Sequence, residues 1–286
     1  MNQLQLLGAV EIGLIYSLVA IGVYITFKVI DFPDLTVDGS FTLGAAVSSA
    51  MIFAGYNPYL ATIVSILSGA CAGWLTGYLN VRWKILGLLA GILTMTALYS
   101  INLRIMGRPN IAIIDSDTVF GNWSIILTIL GFTIITILKL TRFFASEFGL
   151  AIRAVGINPK VSSAFGIRVG FMKIVALAIS NGIVALAGSL FAQSQGFADI
   201  SMGTGTIIVG LASVIIGEAI VQPERIWVGL VTCAIGSILY RIAIAFALNA
   251  HDIGLEASDL NLITALLVAL TMIATRLRKK NRARTI

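Results

Sequence analysis

The stretch IDFPDLTVDGSFTLGAA, residues 30 to 46, holds the side chains with the most chemical capability: Asp31, Asp34 and Asp38 stand among Thr36, Ser40 and Thr42, between two apolar runs. Carboxylates and hydroxyls so placed can receive an ammonium group or carry a proton. At membrane depth they survive only where protein or a water-filled cavity covers them. Pro33 cannot continue a helix and Gly39 accepts most backbone conformations, so a break is expected here, with Asp38 as N-cap of a short helix from about Gly39 to Ala54. Broken membrane helices present unpaired N–H groups to a substrate carboxylate while nearby acids meet an ammonium. The same residues also read as a turn with a solvated acidic face. Because Thr36, Ser40 and Thr42 stay polar beyond the acids, Asp34, Thr36, Asp38, Ser40 and Thr42 are taken as candidates for lining a pathway.

Other polar residues stand inside apolar runs. Thr94, Thr96, Tyr99, Ser100 and Asn102 cluster on the fourth run, and Asn181, Gln193 and Gln195 punctuate the sixth. Hydroxyls commonly bond back to their own helix, whereas Asn and Gln cost more to bury. Thr96, Asn102, Asn181 and Gln193 therefore join the candidates. Glu11 and Glu218 are carboxylates within apolar stretches, Arg241 is the one basic residue of its run, and His251 falls in an acidic loop. No nucleophile stands beside a base, and no spacing of His, Cys, Asp or Glu suggests a metal site, so no catalytic residue and no metal ligand is expected. Cys71 and Cys233 read as small packing residues.

The scaffold for these groups is a membrane bundle. Of 286 residues, 58% are hydrophobic and 11% charged, against about 25% charged in an ordinary soluble domain, and the mean hydropathy is +0.99. A soluble globule is excluded. Apolar runs are expected at 4 to 27, 37 to 54, 58 to 80, 85 to 107, 122 to 141, 171 to 195, 203 to 221, 226 to 248 and 260 to 275. The working count is nine spans of roughly 20 residues each, or eight if residues 31 to 54 only dip into the bilayer. The first run lacks a basic n-region and a small-residue cleavage site, so it is expected to stay as a helix. A basic tail, with Arg276, Arg278, Lys279, Lys280, Arg282 and Arg284, marks a cytoplasmic C-terminus. With nine spans the N-terminus is external, and of nineteen basic residues only Arg104, Arg108 and Arg241 fall away from the inner side. Gly69, Gly73 and Gly77 form a bare strip against which another helix could pack closely.

The long inner loop, from Thr141 to Lys173, has the core EFGLAIRAVGINPKVSSAFGIRVG. It predicts two short helices, Phe148 to Val155 ahead of Gly156 and Pro159 to Phe165 ahead of Gly166, with Asn158 and Pro159 as the start signal of the second. Phe148, Val155 and Phe165 are expected as apolar anchors and Arg153 and Lys160 as positive charge, suiting a groove on a partner protein or an anionic lipid surface.

At these residues the chain resembles a known family. The spacing of Gly149, Arg153, Ala154, Gly156, Asn158, Ala164, Gly166 and Ile167, completed by Glu147, Phe148, Pro159 and Lys160, resembles the cytoplasmic coupling loop of permease subunits of branched-chain amino acid and ribose type ABC importers. IDFPDLTVDGSFTLGAA resembles that family's segment after its first helix, and IIGEAIVQPERIWVGLVTCAIGS its glycine-rich turn between two late helices. FPDLTVDGSF and LYSINLRIMGRPN look closest to a branch labelled as tryptophan or tyrosine importers. Glu218, Gln222 and Glu224 depart from the small residues of the branched-chain members, leaving Gly217, Glu218 and Pro223 as gate-turn candidates.

The resemblance implies an all-α, type II importer-like bundle over residues 1–286, with a coupling loop at 142–170 and a basic tail at 276–286, in a bacterial plasma (inner) membrane. It implies a second copy of the chain, two ATP-binding subunits, an extracellular or periplasmic binding protein and no nucleic acid. ATP and Mg would sit on the partner ATPase, since no Walker motif is present in this chain. The expected cargo is an amino acid, with aromatic ones first. A branched-chain amino acid, a sugar or a nucleoside remains an alternative within the family. Outside it stands an ion-coupled carrier using Glu11, Asp34 or Glu218.

Overall fold

The computed structural model of the chain describes residues 3–114, 117–121, 124–248 and 269. The ninth apolar run, 260 to 275, the basic tail and His251 lie outside the described residues. Among the described residues six helices are long and apolar enough to cross a membrane: Gln3–Val29, Pro58–Trp83, Gly87–Met106, Ile125–Ala145, Val169–Gln195 and Ile226–Ala247. In chain order the helices are α1 (Gln3–Tyr24, continued by a π-helical turn Ile25–Val29), α2 (Thr36–Phe53), α3 (Pro58–Trp83), α4 (Gly87–Met106), α5 (Ile125–Ala145), α6 (Glu147–Ile157), α7 (Pro159–Ala164), α8 (Val169–Gln195), α9 (Thr206–Ile220) and α10 (Ile226–Leu248). Of the expected runs, six are full-length spans among the described residues, and the runs at 37 to 54 and 203 to 221 form the shorter apolar helices α2, of 18 residues, and α9, of 15.

The all-α expectation also needs one correction. A two-stranded antiparallel ribbon pairs β1 (Asn110–Ala112) with β2 (Phe197–Asp199). The reason is local: α4 and α8 both end on a glycine in the left-handed region, Gly107 at φ +67° and Gly196 at φ +76°, and the two segments leave side by side with free backbone groups to pair.

α1 and α8 form the centre. From Gly13 to Tyr24 every residue of α1 is buried, as is nearly every residue of α8 from Ser180 to Gln193, which fits helices apolar around their whole circumference. The outer helices α3, α4 and α5 keep Leu67, Leu93 and Leu138 exposed, the surface expected of helices facing hydrocarbon. The Gly69, Gly73, Gly77 strip lies against α8 at Ala185, Leu177 and Ile174, close enough that a methyl at any of the three would collide. α2 crosses α8 in the same way, with Gly44 on the Ala185 carbonyl and Gly188 on the Phe41 carbonyl.

Between α1 and α2 the chain is irregular. Residues 30 to 35 run beside α4, where Gly87 faces the Phe32 ring and Gly91 the Leu35 backbone. Non-helical backbone is thus covered by protein, as a low-dielectric setting demands. The helix that follows begins at Thr36, three residues before the expected start. Its N-cap position is Leu35, with no side-chain cap, and Asp38 lies within the first turn; Asp34 Oδ1, one residue further out, accepts from Thr36 N at 2.9 Å.

Candidate functional site

The expected pathway residues separate into three places. Asp34, Thr36, Ser40 and Asn181 come together in a sealed network with no exposure at all. Asn181 Nδ2 donates to Asp34 Oδ2 at 2.7 Å, and Ser40 Oγ donates to Asn181 Oδ1 at 2.7 Å. Thr36 Oγ1 and Thr76 Oγ1 are 2.7 Å apart, and Thr76 in turn donates to Thr94 at 2.9 Å. Fully partnered, these side chains join α2, α3, α4 and α8.

Asp38, Thr42, Thr96 and Asn102, with Gly39, Met95, Tyr99, Ile200, Gly203 and Thr204, line a cavity of about 240 Å³ between α2, α4 and the segment leading to α9. Asp38 is positioned by its role as a cap for another helix: Oδ2 accepts from Gly205 N at 3.0 Å and Oδ1 from Ile207 N at 2.7 Å, at the start of α9. A carboxylate on two unpaired N–H groups also meets the positive end of that helix. Gly203 allows the segment to close here, since a side chain would overlap the Asp38 carbonyl and the Thr42 hydroxyl. Asn102 is buried, donates through Nδ2 to the Gly39 carbonyl at 3.4 Å, and leaves Oδ1 without a partner. Thr96 and Tyr99 stand at the mouth, exposed on α4. Sequence reading missed Met95, Ile200, Gly203 and Thr204, and noted Tyr99 only as part of the polar cluster on the fourth run.

Gln193 occupies the third place. Its Nε2 donates to Thr62 Oγ1 at 3.0 Å and Ser189 Oγ at 3.1 Å, while its Oε1 accepts from Val119 N at 2.9 Å. It thereby ties the segment before α5 to α3 and α8.

At the end of the bundle that carries α6 and α7, the two expected short helices are present with shifted bounds. α6 runs on to Ile157, and a single residue, Asn158, joins it to α7. Asn158 Oδ1 accepts from Lys160 N and Val161 N, both at 3.1 Å, Pro159 takes the first helical position, and Gly166 turns the chain at φ +81° before Ile167. The side of each residue differs in part from expectation. Val155 is fully buried, so it is no anchor for a partner, and Gly149 packs on the Phe143 and Phe144 backbone. Gly156 faces inward as well: it seats on the carbonyl of Val29, in the π-helical turn of α1, with no room for a methyl. Glu147, Phe148, Ala164 and Lys160 face outward, with Ile157 at 87% and Phe165 at 82% exposure, while Arg153 and Ala154 are half-buried.

The π-helical turn has a second attachment. Lys28 Nζ lies 2.7 Å from Glu218 Oε2, linking the end of α1 to the end of α9. Gly217, one residue away, packs against the Thr232 carbonyl of α10, and Pro223 sits in the turn between the two helices. The gate-turn candidates and the inner loop therefore meet the same turn of α1. Glu11 hydrogen bonds Ser194, and the Arg241 guanidinium lies 4.1 Å from the Tyr16 ring centre. Cys233 is buried, whereas Cys71 lies exposed on α3 and is no packing residue within this chain.

Comparison with known proteins places this architecture. Residues 6–275 match the family described as branched-chain amino acid transport system / permease component. The chain belongs to that family. It is a permease component of an ABC transporter, a transport subunit rather than an enzyme. A tyrosine transport system permease protein of Clostridioides difficile (strain R20291) is 40% identical over 257 residues, 90% of this chain and 86% of that protein. An uncharacterised protein of Rickettsia prowazekii (strain Madrid E) is 34% identical over 277 residues, 93% of this chain and 96% of that protein. Among solved structures, a transporter described as of the metal-chelate ABC type, in an inward-facing conformation, matches with a TM-score of 0.51 at 16% identity, over 96% of this chain and 86% of that one. That likeness concerns the fold.

Proposed function

We propose that this permease component is one half of the pathway of an ATP-driven importer of an aromatic amino acid, in a bacterial plasma membrane. Two copies enclose the pathway, two ATP-binding subunits dock beneath them, and an extracellular or periplasmic binding protein delivers the cargo. ATP and Mg belong to the docked subunits. The α6 and α7 end, with the C-terminus, faces the cytoplasm, and the N-terminus is external.

The observation that carries this reading is the two-sided character of α6 and α7. Their inner side is fastened to α1 through Gly156, and their outer side offers Phe148, Ile157, Val161 and Phe165 to a partner. A partner that grips the outer side moves α1, and through Lys28 and Glu218 it pulls α9. The second copy is supported by α4, whose exposed face carries Thr96, Tyr99, Ser100 and Arg104, a polar stripe at helical spacing that is poorly suited to hydrocarbon. The aromatic cargo is supported by the tyrosine permease relative.

The test is uptake of labelled tyrosine, tryptophan and leucine into proteoliposomes holding the chain with its ATP-binding and substrate-binding partners. Uptake of the aromatic amino acids that requires ATP and all three components supports the reading. Uptake driven by a proton gradient through this chain alone would replace it with an ion-coupled carrier.

A further inference from the structure

We infer that the cavity between α2 and α4 is a transit site for the cargo, in which Asn102 receives the ammonium group and Met95 with Tyr99 contacts the aromatic ring; this rests on the function proposed above. Asn102 is 1% exposed and its Oδ1 has no hydrogen-bond partner. An unpaired buried acceptor of this kind carries an uncompensated desolvation cost, which a donor arriving from the cavity would offset. Both oxygens of Asp38 accept backbone N–H groups, and the hydroxyls of Thr42, Thr96 and Thr204 donate to the carbonyls of Asp38, Ile92 and Ser201. Among the buried side chains of the lining, Asn102 Oδ1 is the acceptor without any hydrogen bond.

Size and lining restrict the rest of the ligand. A dry cavity of about 150 Å³ holds a benzene molecule, so about 240 Å³ takes a six-membered ring with a short polar chain. Methionine sulfur and tyrosine rings both favour aromatic contacts over aliphatic ones, and Met95 and Tyr99 flank the cavity from one face of α4. An acceptor at one end and a sulfur and ring beside it select an amine with an aromatic side chain over a sugar, which would present many hydroxyls to few free partners. Asp38 is a positioning residue here, since it fixes the segment 203 to 205 that closes the cavity from the side.

The test uses the complete importer in proteoliposomes, with L-tyrosine as the probe. Asn102→Leu, which removes the acceptor, should lower tyrosine uptake at subsaturating concentration more than tenfold. Melting of Asn102→Leu in nanodiscs at a temperature close to wild type separates the lost acceptor from a folding defect. In a Cys71→Ser, Cys233→Ser background, Thr96→Cys at the mouth should react with a maleimide several-fold more slowly in the presence of tyrosine than of ribose. Wild-type tyrosine uptake together with unchanged uptake by Asn102→Leu and unprotected Thr96→Cys would overturn the transit site while leaving the importer standing. Absence of aromatic amino acid uptake by the wild-type complex would overturn both.

Discussion

Gly156→Ala isolates the link between the inner loop and the membrane helices. The added methyl meets the Val29 carbonyl, and because both groups are backbone no rotamer change relieves the overlap. Overpacking of this kind costs about 1–3 kcal/mol, while replacing glycine by alanine within a helix recovers at most about 0.5–1 kcal/mol. The net expectation is a destabilisation of α6 docking by about 1–2 kcal/mol, a five- to thirtyfold loss in the docked population. Gly131→Ala on α5 is the internal control, since nothing lies within 4 Å of a methyl there and only the favourable helix term applies. Thermal unfolding of the purified chain in nanodiscs should show Gly156→Ala melting below wild type and Gly131→Ala at or above it. In the assembled importer, ATP hydrolysis should persist in Gly156→Ala while uptake per ATP falls severalfold. Equal melting and equal coupling for the two variants would refute the idea that Gly156 seats the loop on α1.

Other perturbations follow from the same geometry. Asp38→Ala frees the N–H groups of Gly205 and Ile207 and should cost about 0.5–2 kcal/mol, the usual value of a helix cap, with Asp38→Asn intermediate; unchanged melting of the alanine variant would remove the capping role. The Lys28 and Glu218 pair is partly solvated, so its static contribution is about 0–1 kcal/mol, but Glu218→Lys should reduce uptake, and adding Lys28→Glu should restore it. Failure of the double variant to recover would show that the pair carries no motion. The Asp199 carboxyl is held below the usual carboxylate range by hydrogen bonds from the Ser201 hydroxyl and backbone N–H. Its folded value lies below its unfolded one, so its stabilisation is complete above the ordinary carboxylate range and fades as pH falls through the lowered value. Asp199→Asn should therefore flatten the acid limb of a melting-temperature profile, and an unaltered acid limb would contradict the assignment.

How far the sequence reaches can be judged from particular residues. The spans of α1, α3, α4, α5, α8 and α10 follow from apolar length alone, because a 20-residue helix matches the bilayer. The glycine strip on α3 also announced itself, since a four-residue repeat leaves one face bare. The partners of Asp38 were not legible: Gly205 and Ile207 stand far along the chain, and a local rule assigns an acid before a helix to that helix. Asp34 and Asn181 were picked as pathway residues for their polarity, yet polarity inside a bundle serves equally to join helices, and only the packing tells which. Gly156 read as the stop of the first loop helix because glycine commonly ends a helix, whereas α6 runs on through it and the glycine serves close approach to α1. The cavity was likewise hidden: Met95 and Asn102 share a face of α4, but Ile200 and Thr204, which complete the lining, stand far along the chain.

The claim on which everything else depends is that α6 and α7 receive force from a docked subunit. Phe165→Cys, placed at an 82% exposed position, with Cys71 and Cys233 replaced by serine, can be paired with cysteines introduced along the exposed clefts of the ATP-binding subunit proposed to dock there. A disulfide between Phe165→Cys and one cleft position, forming at a rate that changes when ATP is added, is the expected result. A Phe165→Cys thiol that crosslinks to no position on that subunit, or that is labelled from the outer side of intact cells by a membrane-impermeant maleimide, would contradict it.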